Sequence, residues 1–104
     1  MKQFDVVANP FARSRERQPF LVTLQSDLLV RSLDTVVVAP LEPALSSTFA
    51  DRLNPRVEVE GQPFVLVTQE FVTVRKSVLG NVRGTIAGER DAVIAALDLL
   101  FTGF

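Results

Sequence analysis

The sequence predicts a mainly β domain closed by a single C-terminal α-helix. Short stretches of alternating apolar and polar residues recur along the chain, Gly, Pro and Asn separate them, and from residue 89 the apolar period changes from two to that of a helix. A length of 104 residues, 47% of them hydrophobic, supplies one core and leaves no room for a second module. Residues 1–104 therefore read as one domain, with strands over about 3–79 and the helix over about 89–101.

Gln3 to Ala8 is β-branched and aromatic enough for a first strand, which Asn9-Pro10 ends as a turn. Between Phe11 and Pro19, Arg13, Arg15 and Arg17 alternate around Glu16 with no apolar partner to bury, the pattern of a mobile basic loop. Phe20 to Gln25 alternates again, with Phe20, Val22 and Leu24 on the more apolar face. The valine run within Thr35 to Ala39 predicts a buried central strand, and Pro40, which has no N–H to give to a ladder, predicts its end. Leu41 to Pro55 mixes Pro43, Ser46, Ser47 and Asn54 with isolated apolar residues and reads as an irregular connection, with one helical turn at Ala44-Leu45.

Val57 to Glu60 alternates cleanly, Gly61-Gln62 turns the chain, Pro63 sits at a strand start and Phe64 to Thr68 returns, which together predict a β-hairpin. Phe71 to Leu79 adds an extended segment in which Val72 and Val74 face opposite Thr73 and Arg75, and the strands are expected to end there. Gly80, Gly84 and Gly88 recur every four residues, but Asn81, Arg83 and Thr85 interrupt the stretch. It reads as a connection using glycine in turn conformations rather than as a helix-packing face. From Glu89 to Phe101, Val93, Leu97, Leu100 and Phe101 form one helical stripe. Glu89 and Asp91 lie near the helix start, where acids suit the macrodipole, and Gly103 stands where a C-terminal cap glycine belongs. Beyond that cap, Phe104 places an aromatic at a helix tip, which suits a contact surface.

Composition removes whole classes of chemistry, because the chain has no Cys, His, Trp or Tyr. Without Cys there is no disulfide, thiolate nucleophile or thiolate metal site, and the fold rests on packing alone, as suits a reducing cytoplasm. Without His there is no Ser-His-Asp triad and no imidazole acid or base, so any catalyst would draw on carboxylates, Lys, Arg or Ser. No metal site or cofactor is expected. Eleven basic and twelve acidic side chains give a net charge of −1, which disfavours a direct grip on nucleic acid. Met1 to Asp5 lacks the apolar run of a signal peptide, and the late apolar stretch Ala92 to Leu97 stops at Asp98. Neither export nor a membrane span is expected, and the cytoplasm is the expected location.

Four segments then carry a resemblance. Gln3-Phe4 resembles the start of the CcdB toxins, Gln25-Ser26-Asp27-Leu28-Leu29 their VQSD strand end with two following aliphatics, and Val38-Ala39-Pro40-Leu41 their VIPL segment. Ala95-Ala96-Leu97-Asp98-Leu99-Leu100-Phe101-Thr102-Gly103-Phe104 resembles their terminal AINLMFWGI, and the order and spacing of all four match across nearly the whole chain. The resemblance implies an SH3-like antiparallel β-barrel with a C-terminal helix, of the type shared by CcdB and MazF toxins. It also implies a symmetric homodimer with the two helix ends near the two-fold axis. In function it implies a non-enzymatic toxin of a type II toxin–antitoxin system, acting in plasmid maintenance. Such a toxin binds the breakage-reunion region of the DNA gyrase A subunit and traps the gyrase–DNA cleavage complex. A CcdA-type antitoxin neutralises it, and DNA is met only indirectly, through the autoregulating antitoxin complex.

By position, the resemblance implies gyrase contacts at Leu28, Leu29, Asp98, Phe101, Thr102, Gly103 and Phe104. Leu28 and Leu29 would supply apolar area there, or serve equally well as ordinary core. Gly103 would let backbone approach closely, and Asp98, where a compared family member has Asn, would add a charge able to pair with a basic group of gyrase. Thr102 is the main departure, since it stands where the best-known members have a Trp able to stack on an arginine. Loss of such a contact costs about 2 kcal/mol or more if the position is a hot spot. Arg13, Arg15 and Arg17 are expected to meet the antitoxin, because an acidic disordered partner would be steered to them.

Two rival readings keep the fold and change the function. Endoribonuclease toxins of the same architecture would need positive residues and a general base, for which Arg13, Arg15, Arg17, Arg75 and Lys76 with Glu16 or Glu70 are the candidates. The missing His and a pI near 5.3 weigh against that reading. A relative that still binds antitoxin but no longer poisons gyrase is the second rival, and Thr102 is its chief support.

Overall fold

The computed structural model describes residues 1–45 and 49–103. Along the chain run β1 (Asp5–Ala8), β2 (Phe20–Thr23), α1 (Asp27–Ser32), β3 (Thr35–Pro43), β4 (Arg56–Val59), β5 (Gln62–Leu66), β6 (Val72–Arg75), β7 (Val82–Thr85) and α2 (Arg90–Thr102). The strands form one antiparallel sheet in the order β4-β5-β3-β2-β1-β7, with β6 pairing the first half of β3. The sheet curls into the mainly β half-barrel expected of an SH3-like toxin fold. Its two edges meet through a side-chain clasp, in which Arg83 of β7 reaches Glu60 at 2.7 Å and lays its guanidinium 5.5 Å from the Phe20 ring centre.

Alternation along the strands sends side chains to both faces, and each face has its own cover. Phe4, Val6, Val22, Leu41, Leu66 and Val93 belong to the larger core, against which Ile94 and Leu97 of α2 pack. Val7, Leu21, Val36 and Val38 belong to a second cluster closed by Val30 of α1 together with Val74 and Leu79. All four residues of β2 are consequently buried, whereas β4, covered on one face only, keeps Arg56 and Glu58 in solvent.

Several expectations are corrected. β3 does not stop at Pro40 but runs on to Pro43. It pairs β6 through Val38 and β5 from Leu41, so Pro40 falls at the change of partner, where its carbonyl accepts from the Val67 N–H at 2.9 Å. A missing N–H is tolerated there because the ladder is interrupted on that side. Strands do not end at residue 79 either, since Val82–Thr85 pairs with β1 and Gly84 sits opposite Val6. Gly80, Gly84 and Gly88 do not adopt positive φ; among the described glycines only Gly61 and Gly103 do. Leu28 and Leu29 lie on a helix, α1, which was not expected.

The hairpin is present, but its turn is centred on Glu60-Gly61, with φ of 52° and 77°, and Val59 pairs Gln62. In the long connection, Ala44-Leu45 is a turn, while Ser46 and Ser47 lie outside the described residues. Asn54 is a buried anchor: its Nδ2 donates to Leu66 O at 3.0 Å and Gln69 Oε1 at 2.8 Å, and its Oδ1 accepts from the Ala50 N–H at 3.2 Å.

Candidate protein-binding site at the helix ends

α2 is buried at its middle and exposed at its end. Val93 and Ala96 are fully buried, Ile94 and Leu97 partly so, and the last turn leaves Asp98, Phe101, Thr102 and Gly103 in solvent. The stripe read from the sequence therefore runs off the core at Phe101, which is 65% exposed. Gly103 terminates the helix at φ 81°, its N–H bonded to Leu99 O at 3.0 Å, a left-handed cap that a side chain would strain. Thr102 turns its hydroxyl back to donate to Asp98 O at 2.6 Å, so it offers a methyl and no aromatic area to a partner.

Around this tip is an apolar surface. Phe101 meets Phe71 edge to face, with ring centres 5.4 Å apart, beside a cleft of about 270 Å³ also lined by Leu24, Gln25, Val37 and Leu97. Phe71 and its neighbour Val72 are themselves exposed large hydrophobics. Sequence reasoning did not single these two out as site residues, although an aromatic at the start of an extended segment, off the Val72–Val74 face, was a signal that could have been followed. α1 starts two residues after Gln25, a residue that lines this cleft, and turns Leu28 (65%) and Leu29 (44%) to solvent while burying Val30. The reading of Leu28 and Leu29 as ordinary core is thereby replaced by an exposed patch. Phe104 lies outside the described residues.

The arginine loop is less free than its sequence suggested. Asn9 donates through Nδ2 to Ser14 Oγ at 2.9 Å and to Gln18 O at 2.8 Å, and accepts at Oδ1 from the Phe11 N–H at 2.9 Å. Arg15 donates to Pro10 O at 2.9 Å, and Arg17 lies 3.8 Å from both Glu42 and Glu70. The buried Gln18 bridges the same two carboxylates through Nε2, at 2.7 and 3.0 Å. Arg13 and Arg15 remain exposed.

Of the nuclease candidates, Glu70 and Arg17 come together beside a second cleft, of about 340 Å³, lined by Phe11, Ser14, Gln18 and Val72 among others. Arg75 sits at the far end of β6, opposite Thr35, and Lys76 donates to Val30 O at the end of α1. Glu70 precedes β6 and Arg75 ends it, so the length of that four-residue strand, roughly 10 Å, lies between them, and Glu16 makes no ion pair among the described residues. Nor is there, among the described residues, a group of three or more Asp or Glu able to hold a metal ion. No described helix is long and apolar enough to cross a membrane.

Comparison with solved structures places the fold among toxins. A Mycobacterium tuberculosis toxin, MazF-mt6, superposes with a TM-score of 0.71 at 18% identity, covering 96% of each chain. A structure described as an Mtb toxin gives a TM-score of 0.68 at 22% identity, covering 81% of this chain and 92% of its own. Comparison with curated proteins gives no match. The model of the family described as CcdB protein matches residues 3–103, nearly the whole chain and every described element of the site. With the fold, the terminal helix and that match in agreement, this chain belongs to the CcdB family.

Proposed function

We propose that the protein is the toxin of a type II toxin–antitoxin system, and that as a homodimer it binds the DNA gyrase A subunit and holds the gyrase–DNA cleavage complex. Membership of the CcdB family and the toxin fold support the toxin reading. The observation that carries the binding reading is the exposed tip of α2, where Phe101, Thr102 and Gly103 stand clear of the core, with Leu28 and Leu29 turned out on α1. These positions are the ones the family resemblance assigned to gyrase, and their exposure makes them available. Phe71 continues the apolar surface from Phe101, which supports the pairing of two copies with their helix ends adjacent. Arg13 and Arg15, exposed on a shaped loop, are the positions proposed to steer an acidic CcdA-type antitoxin; Arg17, already beside Glu42 and Glu70, contributes less.

On this reading the protein catalyses nothing: it adds surface that makes a covalent gyrase–DNA intermediate slower to reseal. The test is incubation of the protein with gyrase, ATP and supercoiled plasmid, followed by denaturation and counting of protein-linked double-strand breaks. Breaks that disappear in a variant lacking Phe104 are expected. No breaks at high excess would refute the poisoning step. Thr102, with its hydroxyl turned to the helix backbone, favours one alternative, a family member that binds antitoxin for autoregulation without poisoning gyrase. Antitoxin binding without breaks is the signature of that alternative. Cleavage of single-stranded RNA by the purified protein would instead point to an endoribonuclease.

A further inference from the structure

We infer that Gln3 is a positioning residue that registers α1 against α2, and so sets the spacing between the Leu28–Leu29 patch and the Phe101–Gly103 tip. The inference rests on the proposed reading in that one partner meets both patches. Gln3 stands between the first residues of the two helices. Its N–H donates to Oδ1 of Asp27, where α1 starts, at 2.6 Å. Its Oε1 accepts from Nη1 of Arg90, where α2 starts, at 3.1 Å, and its Nε2 donates to Leu24 O, just beyond β2, at 3.0 Å. Only a side chain of this length carrying both a donor and an acceptor can serve Leu24 and Arg90 together, which is what glutamine supplies and glutamate or methionine does not.

The backbone is shaped to put Gln3 there. Phe4 adopts φ 68°, uncommon for a bulky residue, with its ring buried and the Arg90 guanidinium 5.7 Å from the ring centre. Such a conformation persists when its surroundings over-determine it. Here the Phe4 N–H donates to Thr23 O at 2.6 Å and its carbonyl accepts from the Ile86 N–H at 2.9 Å. The kink takes the chain off the line of β1 and into the gap between the helix starts.

α1 depends on this arrangement because it has little else to hold it. It is six residues long, has no side-chain hydrogen bond at its N-cap and buries only Val30. Among the described residues, its side-chain ties to distant parts of the chain are Asp27 to Gln3 at one end and Val30 O to Lys76 at the other. The elements that carry the two patches are thus joined by one residue that belongs to neither.

The test is a double-mutant cycle on binding of the gyrase A breakage-reunion fragment, with Gln3→Met removing both side-chain bonds and Leu28→Ala reporting on α1. Gln3→Met is expected to weaken binding about tenfold, and Leu28→Ala to lose most of its effect in that background, because the patch is no longer held where the partner needs it. Gln3→Glu, which keeps the acceptor for Arg90, recovers part of the loss. Amide hydrogen exchange gives a readout that does not depend on gyrase. Faster exchange confined to residues 27–33 is expected in Asp27→Ala, which removes the acceptor of the Gln3 backbone N–H, and to a smaller extent in Gln3→Met, which keeps that bond but frees residue 3 from Leu24 and Arg90, and not in Glu58→Ala on β4. Unchanged exchange in α1, or additive losses in the cycle, overturns the inference. If the unaltered protein does not bind the fragment, the gyrase reading fails, and exchange alone decides whether Gln3 registers the helices.

Discussion

Replacing Phe101 with alanine separates a binding residue from a core residue, because the structure gives the two roles different sizes. A phenylalanine presents about 200 Å² for burial. With Phe101 65% exposed, about 130 Å² remains for a partner to cover. At ~25 cal/mol/Å² this is about 3 kcal/mol, or roughly a hundredfold in affinity. The covered remainder and the edge-to-face contact with Phe71 contribute about 2–3 kcal/mol to the fold. Phe101→Ala should therefore remain folded in urea titration while losing binding to the gyrase A fragment, measured by calorimetry on the same preparation. A stability loss of about 4–5 kcal/mol, the upper range for a core phenylalanine, would refute the reasoning. So would retention of affinity within about threefold.

Four further outcomes follow from other contacts. Asn54→Ala should lower stability by about 2–3 kcal/mol in urea, since it removes side-chain bonds to Leu66, Gln69 and Ala50 in a site where little water can replace them. Gly103→Ala puts a side chain at φ 81° and should cost about 1 kcal/mol, seen as fraying of the last turn of α2 by amide exchange. Glu60→Gln opens the ion pair of the Arg83 clasp, which is about half exposed, so the loss in midpoint should stay below about 1 kcal/mol and shrink as salt is raised. Thr102→Trp adds aromatic area at an exposed helix end and should tighten gyrase binding by roughly tenfold, whereas unchanged affinity would mean that the position faces away from the partner.

Much of this architecture is legible in the sequence where local chemistry and burial agree. The α2 stripe with its cap glycine, the hairpin of β4 and β5 and the valine-rich first half of β3 lie where periodicity puts them, although β5 stops at Leu66 and Thr68 begins a turn. What escapes is decided by tertiary context. Pro40 looks like a strand end unless β3 is known to change partners beside it. β7 is hidden because Gly84 and Arg83 have low β-propensity, and the strand forms only because β1 offers a free edge. Six residues of α1 are too few to show a period. At the site, the α2 tip could be named from the resemblance alone. The exposure of Leu28 and Leu29 could not, because aliphatic residues look the same to a sequence whether they face a core or a partner.

The placement of β1 between β2 and β7 has a consequence for the order of events during synthesis. Asp5 pairs Thr85, and the Phe4 carbonyl waits for the N–H of Ile86, so one side of the first strand has no partner until residues 82–86 have been made. Pairings this distant in sequence form late and slow a fold. The hairpin of β4 and β5 can close early, but the sheet cannot be completed from the N-terminal half. Asp98 to Gly103 follow β7 in the chain, so the α2 part of the surface proposed to engage gyrase is made only after the strand that completes the sheet. A chain stopped before residue 82 would lack both the strand that closes this side of β1 and the α2 tip proposed as a contact.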